Sequence, residues 1–114
     1  MANPTDVIDR QLLAFNNRDI EGFVACYELE AKVVQPDGSF LASGRDQIRE
    51  RYGELFDRSP ELKAAVPKRI EVGAVVVDEE LITGFNLPGS PTEVHSIVAY
   101  RIHDDLIENA YLLA

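Results

Sequence analysis

The run VIDRQLLAFNNRDIEGFVACY, residues 7–27, decides the class of fold, because it reads as two short helices in succession. Ile8, Leu12 and Phe15 recur at helical spacing and form one apolar stripe. Asn16-Asn17-Arg18 breaks the period, Asp19 stands where a cap belongs, and Ile20, Phe23, Val24 and Tyr27 resume it. Upstream, Asn3 can cap, Pro4 is tolerated at the first helical position, and Asp6 favours the helix dipole. Downstream the pattern changes. Residues 31–35 read as a strand, Pro36-Asp37-Gly38 as a turn and residues 39–42 as a second short strand. Ser43 with Asp46 has the form of a capping box, and the stripe Ile48, Tyr52, Leu55, Phe56 predicts a third helix ending at Ser59-Pro60.

The rest is strand-like. Residues 68–77 and 81–86 flank Asp78-Glu79-Glu80, which reads as a solvated hairpin tip, and Pro67 marks an edge or a bulge. Residues 87–91 form a loop, 92–103 the longest strand, Asp104-Asp105 a turn and 106–113 the last strand. Helices early and strands late mean α+β, with a mostly antiparallel sheet.

At 114 residues the chain suits one domain, 1–114, with one core. Its composition, 46% hydrophobic and 27% charged, is that of a globular protein. The net charge of −9 would repel a phosphate backbone, so nucleic acid is not an expected partner. No apolar run is long enough for a membrane span, and residues 1–10 are polar and acidic; a cytoplasmic protein is expected. Cys26, lying in a helical pattern, reads as core.

The long strand carries Val94, Ser96, Val98, Tyr100 and Ile102 on one face and His95, Ile97, Ala99, Arg101 and His103 on the other. A sheet wetted on one side alternates more cleanly than this. The first face is expected to meet the helices, and the second to be covered in part by another copy of the chain, a homodimer.

The 7–27 run resembles the first two helices of bacterial ketosteroid isomerases. AKVVQPDGS and SGRDQIRERY continue the likeness, and IVAYRI resumes it, so that it covers about half the chain. The wider group, with the fold of nuclear transport factor 2, includes SnoaL-like polyketide cyclases. The resemblance implies a cystatin-like cone: three N-terminal helices packed in a curved sheet, a pocket at the open end, and a homodimer through the outer sheet face. It also tests the chemistry. Those isomerases use a carboxylate base with a tyrosine and a protonated aspartate as hydrogen-bond donors. The corresponding residues here are Gln35 for the base, Gln11 for the tyrosine and Val98 for the acid, so turnover of a ketosteroid by that mechanism is not expected. Tyr52 matches a pocket tyrosine.

A small-molecule pocket protein follows, with Gln11, Gln35, Tyr52, Tyr27, Ser96, Val98 and Tyr100 as candidate ligand contacts around a small apolar ligand. In one alternative the protein is an isomerase, cyclase or hydratase with Asp37 as base, although an aspartate in Pro-Asp-Gly also serves its own turn. In the other it is a non-catalytic homodimeric module. Parity puts His95 on the outer face, and His103 stands at a hydrated hairpin end. Two histidines and one cysteine make no zinc pattern, there is no glycine-rich phosphate loop, and neither metal nor cofactor is expected. A cone filled by Phe15, Tyr27, Tyr52 and Tyr100 would favour the non-catalytic module; an open one with a carboxylate inside would favour an enzyme.

Overall fold

Three helices and six strands make up residues 3–114 of the computed structural model, the part described here. Met1 and Ala2, the start of the polar N-terminal stretch, lie outside the described residues. Helix α1 (Pro4–Asn16) begins as its sequence requires: Asn3 accepts from the Thr5 amide at 3.0 Å, and Asp6 returns a bond to the Asn3 amide at 3.0 Å. Helix α2 (Ile20–Val24) is capped by Asp19, which accepts from Gly22 N at 3.0 Å. It stops earlier than its apolar period suggests, because Tyr27 opens strand β1 (Tyr27–Val34) instead of closing the helix. Strand β2 (Phe40–Ser43) leads into α3 (Arg45–Arg58). The expected Ser43–Asp46 capping box does not form. Gly44, at φ 87°, takes the cap position, and Gln47 instead accepts from the Ser43 amide at 2.8 Å.

The second half is β3 (Lys63–Val72), β4 (Val75–Thr83), β5 (Glu93–His103) and β6 (Leu106–Leu112). The β3–β4 turn is Gly73-Ala74, not the acidic trio: Val72 pairs with Val75, and Gly73 supplies the positive φ of 56° that a tight hairpin requires. Asp78, Glu79 and Glu80 therefore lie in the middle of β4, where successive side chains take opposite faces. Pro67 falls at a register shift on an edge strand, as expected of proline in a sheet. Asp104 and Asp105 form the β5–β6 turn, both at positive φ.

The sheet order is β2-β1-β6-β5-β4-β3, antiparallel throughout except for the β1–β6 pair. Four of its ladders carry register shifts, which bend strands and increase twist. The inner face packs on the helices around one core that includes Ile8, Phe15, Phe23, Tyr27, Ile48 and Ile107. The buried residues of β5 are Ser96, Val98, Tyr100 and Ile102, the face expected to turn inward. The outer face leaves Ile70 63% and Val72 71% exposed, with Leu81 and Ile97 beside them. No helix among the described residues is long and apolar enough to cross a membrane.

Candidate functional site

Between the helices and the inner sheet face lies a cavity of about 220 Å³. Its far wall is aromatic. Phe23 packs on Tyr52 at 4.6 Å between ring centroids and on Tyr27 at 5.3 Å, and Phe15 meets Phe56 edge-on at 5.5 Å. Helix α1 adds Gln11, helix α3 adds Tyr52 and Leu55, and β5 adds Ser96, Val98 and Tyr100.

Among the described residues, one ionisable carboxyl opens on this apolar space, and it belongs to Glu80. Glu80 is 8% exposed, and its Oε2 accepts a bond from the Tyr100 hydroxyl at 3.1 Å. Burial is the main force on its proton: a charged carboxylate loses solvation in an apolar wall, and Asp78 adds like-charge repulsion. The Tyr100 hydrogen bond and the Arg69 charge pull the other way, and the outcome is a pKa raised to about 7. Burial also pushes the hydroxyls of Tyr27, Tyr52 and Tyr100 up from their ordinary range, so all three remain protonated donors at neutral pH.

Gln11 donates from Nε2 to the Tyr27 hydroxyl at 3.1 Å. That bond uses a lone pair of the phenol and leaves its proton available to the cavity. The amide thus works through Tyr27. The Ser96 hydroxyl donates to the Ala114 carbonyl at 2.5 Å and is already engaged.

Behind Glu80 lies a second acid. Asp78 is 1% exposed and receives Arg69 at two points, Nε at 2.6 Å and Nη2 at 3.0 Å; Arg69 reaches Asp9 on α1 with its Nη1 at 2.7 Å. The bidentate fork satisfies both carboxylate oxygens and ties β3, β4 and α1 together. Across the β4–β5 ladder, Asp78 pairs with Val98 and Glu80 with Ser96. The carboxylates thus stand on the strand beside the one that carries Val98.

Two expected site residues lie elsewhere. Gln35 falls past the end of β1, where its N–H donates to Ser39 O at 2.8 Å in the turn, and it does not line the cavity. Because β1 ends at Val34, the alternation of the strand does not set the direction of its side chain. Asp37 is exposed, and its Oδ1 accepts from the Ser39 amide at 2.9 Å and the Ser39 hydroxyl at 2.6 Å. These bonds lower its pKa and hold it to the turn, so it is placed neither to reach the cavity nor to act as a base there. The remaining candidates, Gln11, Tyr27, Tyr52, Ser96, Val98 and Tyr100, are brought together on the cavity wall.

The residue that sequence reasoning missed is Glu80. Its signal was the alternation Val76, Asp78, Glu80, Ile82, which the run of three acids masked. His95 lies on the outer face, its Nε2 2.6 Å from Glu79 Oε2. At the end of the sheet, ligand atoms of Glu28, His103 and Glu108 lie within 4.8 Å of one another, apart from the cavity, and His103 Nδ1 is 2.9 Å from Glu28 Oε1. Cys26 is buried in the core, where desolvation raises its thiol pKa.

Helices cupped by a bent mixed sheet around an aromatic hollow define the nuclear transport factor 2-like class. The SnoaL-like domain model matches residues 8–110, and the chain belongs to that family. Solved structures agree on the fold. An uncharacterised cystatin-fold protein from Novosphingobium aromaticivorans superposes with a TM-score of 0.90 at 20% identity, covering 100% of both chains. A candidate polyketide cyclase from Streptomyces antibioticus gives 0.81 at 19%, covering 97% of this chain and 91% of its own. Another from Sinorhizobium meliloti gives 0.78 at 17%, covering 94% and 93%.

Proposed function

We propose that the protein binds a small carbonyl compound whose reacting end is uncharged and moves a proton on it, with Glu80 as the acid–base group. The observation that carries this reading is a lone titratable carboxyl in an open apolar cavity, with a pKa of about 7, where a group gives and takes protons with equal ease at neutral pH. The ionised Glu80 removes a proton from the carbon next to the carbonyl. The C–H electron pair moves into a C=C bond, and negative charge gathers on the carbonyl oxygen. Tyr27, steadied by Gln11, has a free proton to donate to that oxygen. Protonated Glu80 then returns the proton to a carbon conjugated with the enolate, or the enolate carbon attacks a second carbonyl in the same ligand, whose π pair moves onto its oxygen, and Glu80 gives its proton to the alkoxide so formed. Resemblance to polyketide cyclases supports the second ending; the open cavity holding a carboxyl supports an enzyme over a filled, non-catalytic module.

The test is enzyme-dependent deuterium incorporation next to the carbonyl of small ketones in D2O. Glu80→Gln is expected to lower the rate by about 100-fold or more, while Asp37→Ala leaves it unchanged. Equal rates for wild type and Glu80→Gln would remove Glu80 from the mechanism.

The same reading includes a homodimer through the outer sheet face, supported by the exposed Ile70, Val72, Leu81 and Ile97. Sedimentation showing a monomer at micromolar concentration would end that part.

A further inference from the structure

Beside the cavity lies a second, shallower hollow that shares Leu41, Tyr52, Leu55 and Phe85 with it and adds Arg51, Glu54 and Leu87. The two hollows therefore adjoin across these four side chains, the inner one apolar and aromatic, the outer one flanked by charge. Of the two charges, Glu54 is already answered: Arg58, one turn further along α3, meets it at 3.3 Å. Arg51 is exposed and has neither an ion pair nor a side-chain hydrogen bond among the described residues. A chain of net charge −9 thus presents an unanswered cation at the mouth of its cavity.

We propose that the ligand is amphipathic, with an uncharged ring-sized head in the cavity and a carboxylate held by Arg51 at the mouth. The inference rests on the cavity being the ligand site, as proposed above, and extends it to the ligand's other end. Size limits the head. A hollow of about 220 Å³ suits one ring with a short substituent better than a tetracyclic skeleton. Charge fixes the orientation. Among the described residues, the deep wall offers no cation and its one carboxyl belongs to Glu80, so a carboxylate pushed inward would meet desolvation and like charge together. At the mouth it meets a guanidinium whose planar fork suits it.

Three ligands separate the parts: acetophenone as head alone, 4-benzoylbutyrate as head with anionic tail, and the methyl ester of the latter as head with neutral tail. Calorimetric titration at low salt is expected to show the acid binding roughly three- to fivefold more tightly than the ester, the range of an exposed ion pair. Arg51→Ala is expected to bring that ratio to one, and Arg51→Glu to invert it. Equal binding of acid and ester by the wild type, or a preference that survives both substitutions, overturns the proposal. Deuterium incorporation into acetophenone reports separately on Glu80. A preference for the acid without incorporation removes the proton-transfer reading and leaves Arg51 standing; incorporation without a preference does the reverse. Failure of all three ligands to bind saturably overturns both.

Discussion

Asp78 and Glu80 occupy consecutive inward positions of β4 and are almost equally hidden, 1% and 8% exposed, yet they meet opposite partners. Asp78 faces a guanidinium that fills both of its oxygens; Glu80 faces a phenol and an apolar hollow. A paired buried carboxylate is held in place by its cation, and removing that cation leaves a charge without compensation. An unpaired one gives up its charge instead and holds a proton until the solution nears neutrality. Two adjacent acids of similar chemistry therefore divide into a structural clamp and a titratable group, and their partners account for the division.

The sharpest way to break this comparison is to remove the cation. Arg69→Met is expected to cost about 3–5 kcal/mol in urea unfolding, because Asp78 then stays buried without a partner. The double variant Arg69→Met, Asp78→Leu should recover most of that loss. If the single variant unfolds at the wild-type midpoint, the pair is not the clamp described.

The next effect concerns Glu80 itself. Its folded pKa, about 7, lies above the ordinary value of 4.5. Below the lower value both folded and unfolded chains hold the proton, and the stabilising contribution is complete. Between the two values the unfolded chain has released its proton while the folded chain keeps it, so stability falls as pH rises. The loss is about 3 kcal/mol by the time pH passes the folded pKa. Glu80→Gln removes this slope and is expected to be more stable than wild type at pH 8, a common result where function keeps a destabilising group. Parallel stability–pH curves for the two proteins between pH 4.5 and 7 would contradict the assignment.

The smallest effect sharpens the account of what tunes Glu80. Tyr100→Phe deletes the hydroxyl that stabilises the ionised carboxylate. The Glu80 midpoint, followed by carboxyl-carbon NMR, should rise by about one unit, as expected for the net loss of one hydrogen bond to a charged group. A midpoint that stays or falls would mean that the phenol favours the protonated form.

The same contrast explains what could be read without coordinates. The helix starts at Asn3 and Asp19 were legible because a cap acts on amides two or three residues away. The inward set Ser96, Val98, Tyr100 was legible because alternation along one strand is a local rule. The hairpin at Gly73-Ala74 was misread because a run of three acids resembled a wet tip more than a glycine-alanine pair did. Gln35, expected as a ligand contact, lies off the cavity because β1 ends at Val34, one residue before it. Glu80 was out of reach: its environment is made by Tyr100 and Ser96 from β5, Tyr27 from β1 and helices from the other half of the chain.

By itself, the order of residues determined the elements, the α+β class and the inward face of the longest strand, since each depends on neighbours a few positions apart along the chain. Only tertiary packing decided which acid became a clamp, which came to hold a proton near neutrality, and which cation stands at the mouth. Those outcomes depend on dielectric and on partners, and both come from segments distant in sequence that meet only when the sheet closes on the helices.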